Sequence, residues 1–321
     1  MTHGGHADAA ASDTHAPHAG QADAAAARLS ANRAERPEEG RFLLPCGYVD
    51  GEGVLHEEVE LAPLDGRDEE YLACMRADAS TAAVVTGLLS RCVKRLGSFE
   101  RIDAALVRDL NVCDRDYLII KARQMTFGAK VEAVLGCENE QCGAPLDVSF
   151  FLDELHIERK PAHERFFDAP LSSPVEMRLP TGGDQEALAA VYRTDHERSL
   201  RLLLARCLRC AGDETHVEEA FVERLSPDEL QAIETEMARR TPQVGVELEG
   251  TCPECRAPFS TTLDFTAFFA TELRSGLAAL EREVHTLARY YHWSEQEILS
   301  LPRPKRRRYL ALIREGLEGF D

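Results

Sequence analysis

The sequence predicts an α+β protein: an internally duplicated unit, with helices and a cysteine-bearing β hairpin in each copy, followed by a C-terminal helical extension. Three observations predict it. The first is a repeat at a near-constant offset, from Leu88 to Leu203 and from Cys137 to Cys252. LLSRCVKR (Leu88–Arg95) aligns with LLARCLRC (Leu203–Cys210), and VELAPLDGRDEEYL (Val59–Leu72) aligns with VEMRLPTGGDQEAL (Val175–Leu188) after one inserted residue. The second is helical periodicity inside each copy. The third is a pair of closely spaced cysteines in each copy, Cys137/Cys142 and Cys252/Cys255, each running into a strand-like stretch. Blocks conserved in order and spacing within one chain indicate a repeated supersecondary unit.

Each copy reads in the same order. Asp65 with Asp68 in the first copy, and Thr181 with Asp184 in the second, have the spacing of a capping box and open a helix. A periodic stripe follows: Val85, Leu88, Leu89, Cys92, Val93, Leu96 in the first copy and Leu200, Leu203, Leu204, Cys207, Leu208, Ala211 in the second. Steps of three and four are the mark of a helix packed on a core. In the second copy Ser226-Pro227-Asp228-Glu229 opens a further helix with an N-cap, a proline in the first turn and a capping acid. One strand enters the cysteine pair and another leaves it, through Leu146, Val148 and Phe150 or Phe259, Thr261 and Leu263. A linker is expected near His156–Pro170.

Beyond the second copy, Leu277, Leu280, Val284, Leu287 and Tyr291 give an amphipathic helix from about Glu272 to His292-Trp293. Ser294 with Glu297 caps a short helix ending before Pro302, and Pro304 starts a last one with Tyr309, Leu312 and Ile313 on its apolar side. Residues 1–40 are alanine-rich with scattered histidines (His3, His6, His15, His18) and too few large apolar groups to offset the entropy of ordering, so a disordered tail is expected there. The division is therefore 1–40 tail, 41–158 first copy, 159–271 second copy and 272–321 a helical, partner-binding region.

Composition narrows the class. The 321 residues suffice for two domains with buried cores. A net charge of −19 disfavours nucleic acid as a partner, since phosphate binding needs positive surface. No apolar run approaches the roughly 18 residues of a membrane span. Ten cysteines without an export signal point to a reducing, cytoplasmic setting, where close pairs are more often metal ligands than disulfides.

A structural zinc ion takes four soft ligands in a tetrahedron, and one cysteine turn supplies two of them. Duplication supplies the rest, so Cys137, Cys142, Cys252 and Cys255 are the expected ligands of one Zn²⁺, pairing the copies as a zinc ribbon. Two alternatives stay open: a redox dithiol at Cys252/Cys255, and metal-free knuckles. The redox reading requires a helix N-terminus at the first cysteine, whereas a proline and β-branched residues follow here. Cys207 and Cys210 share the C-x-x-C spacing, but their counterparts are Cys92 and Arg95, so both read as structural; so do Cys46, Cys74, Cys92 and Cys113. No glycine-rich phosphate loop, nucleophile elbow or H-E-x-x-H helix is present, and no enzyme is expected. Lys305, Arg306, Arg307 and Arg308 form the one basic island. Because cations at a helix start oppose its dipole, these residues, with Trp293, are the candidate partner surface.

The chain also resembles the baseplate and hub assembly proteins of T-even-type contractile phage tails and related extracellular contractile injection systems, over about Phe42–Leu273. The resemblance rests on Leu44-Pro45-Cys46-Gly47, Leu64-Asp65-Gly66-Arg67-Asp68-Glu69, the Leu-Leu-x-Arg-Cys helix, and the knuckle followed by Leu146-Asp147-Val148. His292–Leu310 is similar to small tail-associated proteins found with such systems. The long Ala/His tail and Cys-x4-Cys in place of a tighter knuckle depart from the pattern. The resemblance implies a non-enzymatic structural or assembly role among baseplate, tube or spike subunits, in a cytoplasmic protein that a tail-like particle could incorporate. The alternatives are a zinc-ribbon regulatory protein binding nucleic acid or the transcription machinery through Lys305–Arg308, and a thiol oxidoreductase using Cys252/Cys255.

Overall fold

The computed structural model describes residues 40–75, 79–155, 157–160, 162–172, 175–209 and 219–318. Residues 1–39 of the expected tail, Cys210 and Ala211 lie outside these residues.

The first half runs β1 (Arg41–Val49), β2 (Leu55–Leu61), α1 (Gly66–Ala73), α2 (Thr81–Cys92), β3 (Val93–Leu96), α3 (Ala104–Asp109), α4 (Val112–Phe127), β4 (Lys130–Gly136) and β5 (Pro145–Phe151). The second half repeats that order with β6 (Phe166–Asp168), β7 (Glu176–Arg178), α5 (Gly182–Tyr192), α6 (His196–Cys207), β8 (Leu208–Arg209), α7 (Glu219–Val222), α8 (Pro227–Arg240), β9 (Val246–Thr251) and β10 (Pro258–Leu263). Each half forms a three-stranded antiparallel sheet, β1-β2-β3 or β6-β7-β8, and a separate hairpin, β4-β5 or β9-β10. The fold is α+β.

Local chemistry sets the helix starts. Asp65 and Asp68 cap α1 reciprocally, Thr181 and Asp184 do the same for α5, and Ser226 with Glu229 caps α8 behind Pro227. Two segments depart from the sequence reading. The stripe expected to stay helical through Leu96 turns at Cys92 into a strand whose Val93 and Leu96 pair with Leu61 and Val59; Leu208 likewise leaves α6 to pair with Met177. Phe166–Asp168, inside the expected linker, is the first strand of the second sheet.

The first core gathers Leu44, Leu89, Leu118 and Ile119 from the first half, then takes in Val131, Leu146 and Phe150 from one hairpin and Val246, Leu248 and Phe259 from the other. The two hairpins thus share one apolar bed. A second core, around Met177, Leu204, Cys207 and Ile233, also encloses Cys46 and Cys113 from the first half. At the seam, Val112 N donates to Pro180 O and Gly182 N donates to Leu110 O, both at 3.1 Å. The side chain of Arg115 fills the space where a Cβ on Gly182 would sit.

C-terminal to the hairpins, α9 spans Phe265–Tyr291, α10 Glu295–Leu299 and α11 Arg303–Glu318. α9 starts seven residues before the expected Glu272, because Asp264 caps it and Phe265, Phe269 and Leu273 carry its stripe into the first core. His292, in left-handed backbone (φ 56°), ends it. α10–α11 meets the first half much as α3–α4 meets the second. Pro302 bridges Asp65 as Asn111 bridges Thr181, and the residue after each donates its N–H to the carbonyl before the partner's helix cap, Leu64 O or Pro180 O.

Candidate metal centre

Each hairpin ends in a turn that presents two sulfurs. In the first, Cys137 N donates to Ala144 O (2.9 Å) and Cys142 N to Asn139 O (2.8 Å), and Gly143 takes left-handed backbone at φ 58°. In the second, Cys252 N donates to Ala257 O and Arg256 N to Cys252 O, both at 2.9 Å. Arg256 takes the place of Gly143, at φ 59°. Both turns run through an alanine and a proline into the outgoing strand, β5 or β10. A shorter loop, four residues against six between cysteine and alanine, still closes on the same backbone bond.

Because the hairpins lie against one core, their turns meet. Cys137 Sγ stands 3.7 Å from Cys255 Sγ, and Cys142 Sγ stands 3.9 Å from Cys252 Sγ. All four sulfurs lie within 4.8 Å of one another. With zinc–sulfur bonds of about 2.3 Å, the edge of a tetrahedral site is about 3.8 Å, so the separations fit a four-thiolate ion site. The cluster could hold a metal ion, and its soft, closely packed donors suit zinc. Hydrogen bonds from the backbone N–H groups of Cys255 and Glu254 pull the Cys252 thiol down to about 7, whereas burial and the neighbouring thiols push Cys137 up to about 12 and raise Cys142 as well. Asn139 Nδ2 adds a contact to Cys255 Sγ at 3.7 Å. Cys252 is fully buried, whereas Cys255 is exposed; the site is rooted in the core and open at one edge.

A thioredoxin-like dithiol needs a helix starting at its first cysteine. Cys252 instead begins a turn that leads into β10, and its cross-hairpin neighbour is Cys142. Four converging sulfurs also leave no position for a reacting ligand on a four-coordinate ion.

The basic island divides. Lys305, Arg307 and Arg308 are exposed, but the side chain of Arg306 is completely buried, paired with Glu69 Oε1 at 2.5 Å and Glu283 Oε2 at 3.0 Å. Arg306 therefore serves the interior, a correction to its expected place on a partner surface. Trp293 packs inward as well. It stacks on Tyr291 (4.8 Å between ring centres) and meets Tyr309 edge-on (4.9 Å) beside a third small core of Leu287, Ile298 and Ile313.

Cys92 and Cys207 sit at equivalent helix ends, and burial pushes both thiols up to about 12, as befits inert core residues. One cluster escaped the sequence reading: Cys46, Cys113 and Asp114, all buried, have ligand atoms within 4.8 Å of one another. Cys46 and Cys113 are 67 residues apart and share no motif, so no spacing signal could have joined them.

Residues 50–270 match the family described as T4 bacteriophage base plate protein. That span contains both cysteine turns and stops within α9. No curated protein and no solved structure matches the chain.

Proposed function

Taking as premise that the chain belongs to the T4 bacteriophage base plate protein family, we propose that it is a non-enzymatic structural or assembly protein of a contractile, phage-tail-like baseplate or injection apparatus, its two halves clamped by one structural Zn²⁺. In this reading residues 41–158 and 159–271 are copies of one unit. The recurring element order and the matched docking of Asn111 on Thr181 and Pro302 on Asp65 support the duplication. Cys137, Cys142, Cys252 and Cys255 are the zinc ligands of a ribbon built from both copies. The observation that carries the reading is the approach of sulfurs from two different hairpins to tetrahedral-edge distances.

The ion's task is mechanical. Each hairpin has two strands, too few to hold together alone in water, and metal binding contributes directly to folding free energy. Binding partners are the protein subunits of a baseplate, tube or spike. Lys305, Arg307 and Arg308 face solvent along α11 and offer cations to an acidic subunit. Among the described residues no helix is long and apolar enough to cross a membrane.

A native pull-down of the tagged chain from its own cells, read by mass spectrometry, tests the role. Baseplate, tube, sheath or spike subunits are the expected recovery, and recovery with mature particles separates a component from an assembly factor. Polymerase subunits or nucleic acid in their place would overturn the reading in favour of a regulator.

A further inference from the structure

The chain has a second sulfur cluster, and its geometry differs from the first. Cys46, on β1, and Cys113, in the first turn of α4, bring their sulfurs to 3.0 Å. That is well short of the edge of about 3.8 Å of a tetrahedral thiolate site, which the other four cysteines approach closely. It is also about 1 Å from the length of a disulfide. Asp114 completes the group. Its Oδ1 accepts the Cys46 N–H at 2.8 Å, and its buried Oδ2 makes no hydrogen bond of ordinary geometry, although the Gly47 N–H and the Asn111 amide lie near enough to lower the carboxyl. The Arg165 guanidinium, itself buried, interacts with the Asp114 charge and donates to Gly47 O at 3.4 Å. A fixed cation beside only three donors disfavours a metal ion here.

We propose that Cys46 and Cys113 are an oxidisable thiol pair that closes to a disulfide under peroxide, with Asp114 as the proton acceptor. One sulfur attacks a peroxide oxygen and becomes a sulfenic acid, releasing one water. The second sulfur then displaces the hydroxyl as another water. Two S–H bonds and the O–O bond break, while one S–S bond and two O–H bonds form; the sulfurs are oxidised and the peroxide oxygens reduced. The orphan Asp114 Oδ2 takes the thiol proton and returns it to the leaving hydroxyl. Hydrogen bonding to Cys46 and burial both hold the Cys113 thiol well above its ordinary range, so the pair needs such an acceptor. Hydrogen peroxide is small enough to reach cysteines that are only 3–4% exposed. The bond would tie β1 to α4, two elements of the first half, at the edge where they enter the second core.

The test is a non-reducing peptide map of the full-length protein after hydrogen peroxide and alkylation. The expected result is a Cys46–Cys113 linked peptide, two hydrogens lighter than the reduced pair, with a raised unfolding temperature. Cys113→Ser loses both effects, and Asp114→Asn forms the link several-fold more slowly. Alkylated Cys46 and Cys113 after treatment would overturn the proposal. So would a metal equivalent that disappears specifically in Cys113→Ser. If the variants misfold, the wild-type map alone decides.

Discussion

Arg306 and Glu69, 237 residues apart, form a buried ion pair that fastens α11 to α1. Arg303 joins the same Glu69 at 2.6 Å, and Glu283 on α9 takes the other edge of Arg306. Removing one partner of such a network leaves an uncompensated buried charge. Arg306→Ala is therefore expected to cost about 3–5 kcal/mol, while Arg308→Ala, exposed on the same helix, should change stability by less than about 0.5 kcal/mol. Urea denaturation of the two variants checks this; equal midpoints would show that the pair holds nothing.

Arg256 is one of two described non-glycine residues in left-handed backbone, the other being His292. Its counterpart in the first turn is Gly143, at nearly the same φ. A side chain in this region costs roughly 1–2 kcal/mol, so Arg256→Gly should raise stability by about 1 kcal/mol, and Gly143→Val should lower it by more. Thermal melts of both variants decide the matter.

Asp114 couples stability to pH. Burial raises its carboxyl from an ordinary 3.8 to about 7 in the folded protein. Between about pH 4 and pH 7 the folded chain thus binds more protons at this site than the unfolded chain, and this contribution to stability is lost as pH rises through that window. Asp184 acts oppositely. Burial pushes it up, but hydrogen bonds from Arg178 and Thr181 and the charge of Arg178 hold it below its usual value, so its contribution is lost as pH falls through the acid range. Asp114→Asn should gain on the order of 1–3 kcal/mol at pH 8 and flatten the decline above pH 5. Denaturation midpoints from pH 5 to 8 that fall equally in variant and wild type would rule this out.

Gly182 lies where the two halves touch. A Cβ at this position would overlap the Arg115 guanidinium, whose Nη1 and Nη2 donate to Thr86 Oγ1 and to the carbonyls of Val107 and Ala82. Gly182→Ala should therefore destabilise by about 1–3 kcal/mol through overpacking. An unchanged denaturation midpoint would mean that the seam yields more easily than its packing implies.

What could be read from the sequence was what neighbouring residues decide. The boxes at Asp65/Asp68, Thr181/Asp184 and Ser226/Glu229 act over three residues, and the turns at Cys137 and Cys252 are local too; all stand as read. Distant partners decide the rest. Val93 and Leu96 continue a helical spacing, yet their three-residue step also suits the two buried ends of a short strand, and pairing with Val59 and Leu61 settles the choice. Arg306 looked like surface because Glu69 lies at the other end of the chain. Cys46 and Cys113 lacked any spacing that would connect them.

The central claim, that one ion joins the two halves, is tested most directly by the metal content of natively purified full-length protein and of Cys252→Ser. One zinc per chain is expected in the wild type. The variant should lose it, with a melting temperature lower by about 10 °C or more. Wild-type protein that is free of metal yet melts at the same temperature with and without added zinc would contradict the account.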